Sequence, residues 1–77
     1  MGEKLPILKA KDIIAVLQKI GFENVRQKGS HIFFRHTDGR TTLVPRHDNE
    51  DIGKGLLRRI LKETEIAPEE FLEYIRQ

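Results

Sequence analysis

The side chains best suited to chemistry fall in one run, Lys28–Gly29–Ser30–His31–Ile32–Phe33–Phe34–Arg35–His36. Its alternating aromatic and branched residues predict a β-strand. Side chains two apart in a strand share a face. His31, Phe33 and Arg35 therefore point one way, and Ile32, Phe34 and His36 the other. With Ile32 and Phe34 on the core side, the opposite side carries an imidazole, an aromatic ring and a guanidinium in a row. Those groups suit an RNA strand: a proton carrier, a stacking surface and a phosphate clamp.

RNA carries its own nucleophile, the 2′-OH beside each phosphate. Cleavage needs that hydroxyl deprotonated, the leaving 5′ oxygen protonated and the charged phosphorane steadied. Histidine suits the proton steps because its free pKa of about 6.5 lies near working pH. A single imidazole serves if a water, a lysine or a second imidazole supplies the other proton. Lys28 and Arg35 are the candidates for the phosphate charge. Ser30 binds a phosphate oxygen or ties the reversal at Gly29 together. Phe33 stacks on a base or packs against the last helix. His36 falls on the other side of the strand, so it cannot share a substrate or a metal with His31. With no cysteine in the chain, no metal and no cofactor is expected. His36 reads as a hairpin surface residue. His47 reads mainly as local structure, with RNA contact as the lesser role.

Seventy-seven residues make one domain, spanning 1–77. A chain this short buries only about 60% of its unfolded surface, so its stability is modest and a partner can add to it. The absence of cysteine rules out a disulfide framework and a thiolate zinc site. No apolar run approaches the roughly 20 residues of a membrane span, and no signal peptide is visible. A soluble, cytoplasmic protein without a membrane partner is expected. The net charge of +2 is unevenly spread: residues 1–62 hold 13 Lys/Arg against 7 Asp/Glu, and residues 63–77 hold one Arg against 5 Glu. A basic body of net +6 suits a phosphate backbone, although charge alone also describes an ordinary surface.

The elements that must position these residues follow from periodicity. Pro6 keeps the lead-in of residues 1–9 extended. Ile13, Val16 or Leu17, and Ile20 predict a helix over about Ala10 to Ile20, closed by Gly21 as a left-handed cap. Its start is weak, since neither Lys9 nor Ala10 can accept a capping hydrogen bond. Phe22–Lys28 reads as a first strand with Phe22 and Val25 packed inward and Arg26 and Lys28 on one side. After the central strand, Asp38–Gly39 turns the chain into a third strand, Thr41–Pro45. A two-residue loop pairs Phe34 with Leu43, and a three-residue loop pairs it with Thr42; both registers are open. A second helix is expected from roughly Ile52 to Glu63, with Asp48, Asn49 and Asp51 as possible caps and Gly53 and Gly55 in its first turn. Leu56 or Leu57, Ile60 and Leu61 form its buried stripe. Lys54, Arg58, Arg59 and Lys62 decorate the rest, either as an RNA grip or as a solvated face. Proline at position 68 and acids at 69 and 70 open a third helix. That helix packs on the body or meets a protein partner. The order predicts an α+β fold, α-β-β-β-α with a short C-terminal helix. Its three-stranded antiparallel sheet has helices on one face and the other face open.

Gly29–Ser30–His31, the Arg35–Arg40 turn, Val44–Pro45–Arg46–His47 and the helix Gly55–Leu61, with the Leu5–Pro6 lead-in, resemble the HicA-type toxin family. The resemblance runs from about Leu5 to Ile66. It implies a fold like the double-stranded-RNA-binding domain, metal-independent cleavage of mRNA, and neutralisation by a HicB-type antitoxin. It also implies that His31 is the catalytic residue; the residue chemistry adds Lys28, Ser30, Phe33, Arg35, Lys54 and Arg58 as the candidates for RNA contact. Lys9 and Ala67 stand where the family often has a serine-type cap, and Leu56 where threonine is common. These departures touch helix starts, not the chemical residue. The competing expectations are a non-catalytic RNA-binding module of the same fold and a protein-interaction domain with a basic face.

Overall fold

A computed structural model describes residues 5–46 and 51–77. The chain runs β1 (Leu8–Lys9), α1 (Ala10–Ile20), β2 (Glu23–Lys28), β3 (His31–Arg35), β4 (Thr41–Pro45), β5 (Asp51–Ile52), α2 (Lys54–Thr64) and α3 (Pro68–Arg76). Strands β2, β3 and β4 form an antiparallel sheet in that order, and β1 pairs with β5 in a separate two-stranded ribbon. The architecture is α+β with a double-stranded-RNA-binding-domain-like arrangement and a short helix appended.

Strand β3 alternates without exception: His31, Phe33 and Arg35 are exposed, while Ile32 and Phe34 are buried. Ile32, Phe34 and Val44 of the sheet meet Ile13, Leu17, Leu57 and Ile60 of the helices in one core. Helix α2 lies against β4, and α3 packs on α1 through the fully buried Phe71. Both sequence-predicted boundaries of α1 hold. Its missing N-terminal cap is made good by Asp12, whose carboxylate accepts the Lys9 backbone N–H at 3.1 Å. That bond satisfies a donor otherwise orphaned at a helix start.

Of the two registers open from sequence, the three-residue loop is formed. Phe34 pairs with Thr42 and Arg35 with Thr41, and His36 closes the loop by donating its N–H to the Arg40 carbonyl.

Four local expectations are corrected. Val25 does not pack inward; it is 58% exposed. The pairing passes from Asn24↔Phe34 to Arg26↔Phe33 and leaves Val25 as an extra, bulged residue. Strict alternation would put Phe22 on the same side as Arg26 and Lys28; the bulge shifts the phase, so Phe22 is buried while both cations stay outside. Helix α2 does not start at Ile52, which pairs with Leu8, and Asp51 does not cap it but forms an ion pair with Lys9 at 2.9 Å. Gly53 is the N-cap residue. Asp48, Asn49 and His47 lie outside the described residues. A Cβ at Gly53 or Gly55 would meet nothing within 4 Å among the described residues, their own helix backbone aside. His36 is not a free surface residue: its ring meets the Phe22 ring edge-on, 5.1 Å between centroids.

The hairpin tip is tied down by Asp38 and Arg40. Asp38 accepts the Arg40 backbone N–H at 3.0 Å and its Nε at 2.8 Å. The Arg40 guanidinium also lies over the Phe22 ring and donates to the Thr64 carbonyl at the end of α2. The Arg40 backbone N–H, then its guanidinium, hold the Asp38 carboxyl below its ordinary value of 3.8. A carboxylate depressed on folding stabilises the fold fully above that value and ceases to do so as pH falls through its folded pKa. The stability difference between the native chain and Asp38→Asn should therefore shrink between pH 7 and pH 3 in urea titrations. A difference constant with pH contradicts this role.

Gly21 ends α1 at φ +119°, and a Cβ there would stand 3.0 Å from His36 Nε2. Left-handed backbone at a residue with a Cβ costs about 1–3 kcal/mol. Gly21→Ala should lower the unfolding free energy by that amount, and a loss under about 0.5 kcal/mol would show that the cap carries no constraint.

Candidate nucleic-acid interface

The outer face of the sheet can be read from its register. Lys28, His31 and Pro45 stand side by side across the three strands, followed by Arg26, Phe33 and Leu43, then Glu23, Arg35 and Thr41. No helix or strand among the described residues packs on this face.

His31 is brought there by the turn before it. Gly29 adopts φ +59° at the first position of a two-residue reversal, a conformation that glycine takes without a Cβ penalty. Lys28 and His31 flank that reversal and are paired directly, which sets their Cβ atoms about 4.5–5.5 Å apart. Ser30 is half-buried, and its carbonyl accepts the Arg46 backbone N–H, so the ladder continues one step past the strand end. Neither the His31 ring nor the Lys28 ammonium has a hydrogen-bond or ion-pair partner among the described residues. An exposed imidazole thus stands beside an unpaired ammonium.

Phe33 is 37% exposed on the same face. It does not pack under the last helix, which lies on α1. The Arg26 guanidinium sits over the Phe33 ring, 5.9 Å from its centroid, and forms a cationic and aromatic step next to His31. Sequence reasoning placed Arg26 beside Lys28 but not against Phe33. The bulge at Val25 sets that contact, and nothing in the residue types announces it. Arg35 faces the same way four residues on, about 13 Å from His31 at the usual strand rise.

Lys54 and Arg58 are exposed on α2, in the helix layer and off the His31 face. Their placement follows from three contacts. Arg40 reaches Thr64, Thr42 Oγ1 donates to Glu63 at 2.8 Å, and Arg59 donates to the Leu43 carbonyl at 2.9 Å. Helix α2 thus runs antiparallel to β4, with its N-terminal end toward Pro45, the strand end paired with His31. Lys54, Arg58 and Lys62 recur every four residues, which places them in one row along the helix. Arg59 has a different task, closing the outer edge of β4.

Among the described residues, no group of three or more His, Cys, Asp or Glu side chains is placed to hold a metal ion. No helix is long and apolar enough to cross a membrane.

The fold is a helix–sheet–helix arrangement of the double-stranded-RNA-binding-domain type, with a basic and aromatic face left open. The family model described as the HicA toxin of bacterial toxin–antitoxin pairs matches residues 10–66. The chain belongs to the HicA toxin family. No curated protein matches it.

Because His31 is exposed and has no hydrogen-bond or ion-pair partner among the described residues, its removal should be nearly silent for folding. His31→Ala is expected to shift the unfolding free energy by less than about 0.5 kcal/mol. Ile32→Ala, one residue on and 2% exposed, should cost about 2–5 kcal/mol. Equal losses from the two would mean that His31 is structural.

Proposed function

We propose that this toxin is a metal-independent endonuclease that cuts mRNA, with His31 moving the proton at the reacting ribose. The observation that carries the reading is the exposed His31 imidazole paired across the strands with Lys28, beside Arg26 and Phe33. In the reaction the 2′-oxygen forms a bond to phosphorus and the bond from phosphorus to the 5′ oxygen breaks. His31 takes the 2′ proton while water or the Lys28 ammonium protonates the leaving oxygen, or His31 delivers that proton while water takes the one from the 2′ hydroxyl. The products are a 2′,3′-cyclic phosphate and a 5′-hydroxyl. Lys28 and Arg26 offset the charge on the phosphorane, where placed cations act most strongly. Phe33 stacks on a base next to the cut, and Ser30 supplies a hydroxyl beside the phosphate. Arg35 contacts the RNA further along the sheet face, and Lys54 and Arg58 hold phosphates beyond it. The reaction needs no cofactor from this chain. A HicB-type antitoxin silences it by covering or displacing His31.

Purified protein incubated with RNA and EDTA tests the reading. Cleavage should persist with the chelator and fall by ~10²–10⁴-fold in His31→Ala. RNA binding that survives the substitution, with no cleavage by either protein, would leave a binding module instead.

A further inference from the structure

We propose a guanine-binding subsite at the hairpin end of the sheet, formed by Glu23, Arg35 and the bulged Val25. It rests on the RNA-handling reading above and adds a specificity that reading does not contain. A cleft of about 290 Å³ is lined there by Glu23, Val25, Arg35, His36 and Thr37.

Three observations point to a base. First, Glu23 and Arg35 are direct cross-strand partners, yet no ion pair joins them. Opposite charges placed face to face ordinarily close on each other; here both line the cleft, and neither has a hydrogen-bond or ion-pair partner among the described residues. Second, Glu23 is the only acid among the nine residues that the register places on the outer face. A carboxylate repels phosphate, so on a face built for RNA it suits a base edge instead. It faces outward only because of the bulge, since strict alternation from Arg26 would turn Glu23 inward. Third, the bulge leaves Val25 58% exposed beside the cleft, an apolar surface for the flat side of a ring.

The donor pattern selects guanine. Its N1–H and N2–H both donate to one carboxylate, and its O6 and N7 accept from a guanidinium. Adenine and cytosine would turn a ring-nitrogen lone pair toward the carboxylate. Uracil offers one donor flanked by two carbonyls. Because Arg35 stands about 13 Å from His31 along the strand, the guanine is not the nucleotide at the scissile phosphate but one further along.

The test uses the His31→Ala chain, which cannot cut its ligand on the reading above. Its affinity is measured for short single-stranded RNAs that are uridine throughout, or carry one guanosine or one inosine, which lacks the N2 amino group. The guanosine RNA should bind about 10–100-fold more tightly than the uridine RNA, with inosine between. Adding Glu23→Gln should remove most of the preference without weakening binding of the uridine RNA, since the lost carboxylate repelled its phosphates. Glu23→Ala should act likewise, with circular dichroism confirming the fold. Equal affinity for all three RNAs, or a preference that survives both substitutions, overturns the subsite alone. No affinity for any of them overturns the subsite together with the RNA-handling reading.

Discussion

The alternation of β3 between a sealed face and an open one is the constraint on which everything else hangs. Ile32 and Phe34 are nearly fully buried, and their burial turns His31, Phe33 and Arg35 outward. A slip of one residue would reverse the assignment, sending the imidazole into the core and two apolar side chains into water. The fold prevents this at both ends of the strand. Gly29 fixes the reversal that sets Lys28 opposite His31. At the other end, the three-residue loop is held by Asp38 and Arg40, and Arg40 is bonded to the end of α2. Thr42 and Leu43 are also bonded to α2. The hairpin register and the helix position therefore determine each other.

Strand β2 shows what happens where that seal is absent. All six of its residues are exposed, because the helices contact β4 far more than β2. An uncovered edge invites pairing with another chain. Here the edge carries Arg26, Lys28 and a bulge, each a means of discouraging such pairing. The same features that protect the edge furnish the cations beside His31 and turn Glu23 outward. On β2, then, the residues that guard the edge are the same ones that the proposed RNA contact uses, and a substitution there bears on both.

Much of this was legible in the sequence because it depended on local signals. The period-two pattern of β3, the helical spacing in α1, the glycine after it and the proline at position 68 each have a physical cause within a few residues. The parts that were not legible depend on distant partners. Nothing near Ile52 distinguishes a helix start from a strand that pairs with Leu8, more than forty residues earlier. The Val25 bulge has no residue signature; valine is a good strand former either way, and only the burial of Phe22 together with exposed Arg26 and Lys28 requires it. His36 was taken for surface because its contact with Phe22 depends on how the hairpin folds back. At the candidate site the residue types were readable, and His31 with Lys28 followed from a turn. The Arg26–Phe33 contact and the outward turn of Glu23 did not, since both are consequences of one inserted residue.

The separation of the two faces also bears on how such a site can change. The stability of the chain resides in the inner face and its helices, where each apolar side chain has many neighbours and little room. His31, Arg26, Phe33, Arg35 and Glu23 owe their positions to the backbone beneath them, not to one another's packing, apart from the one cation–aromatic contact. Residues held this way can be exchanged at little cost in folding. The side chains that this face presents can therefore change while the register that presents them stays fixed. The bulge is the exception. Straightening the strand with Val25 kept in it would restore strict alternation through that residue, and either Phe22 or the pair Arg26 and Lys28 would have to change sides. The inserted residue is thus the point at which the core and the outer face are mechanically joined.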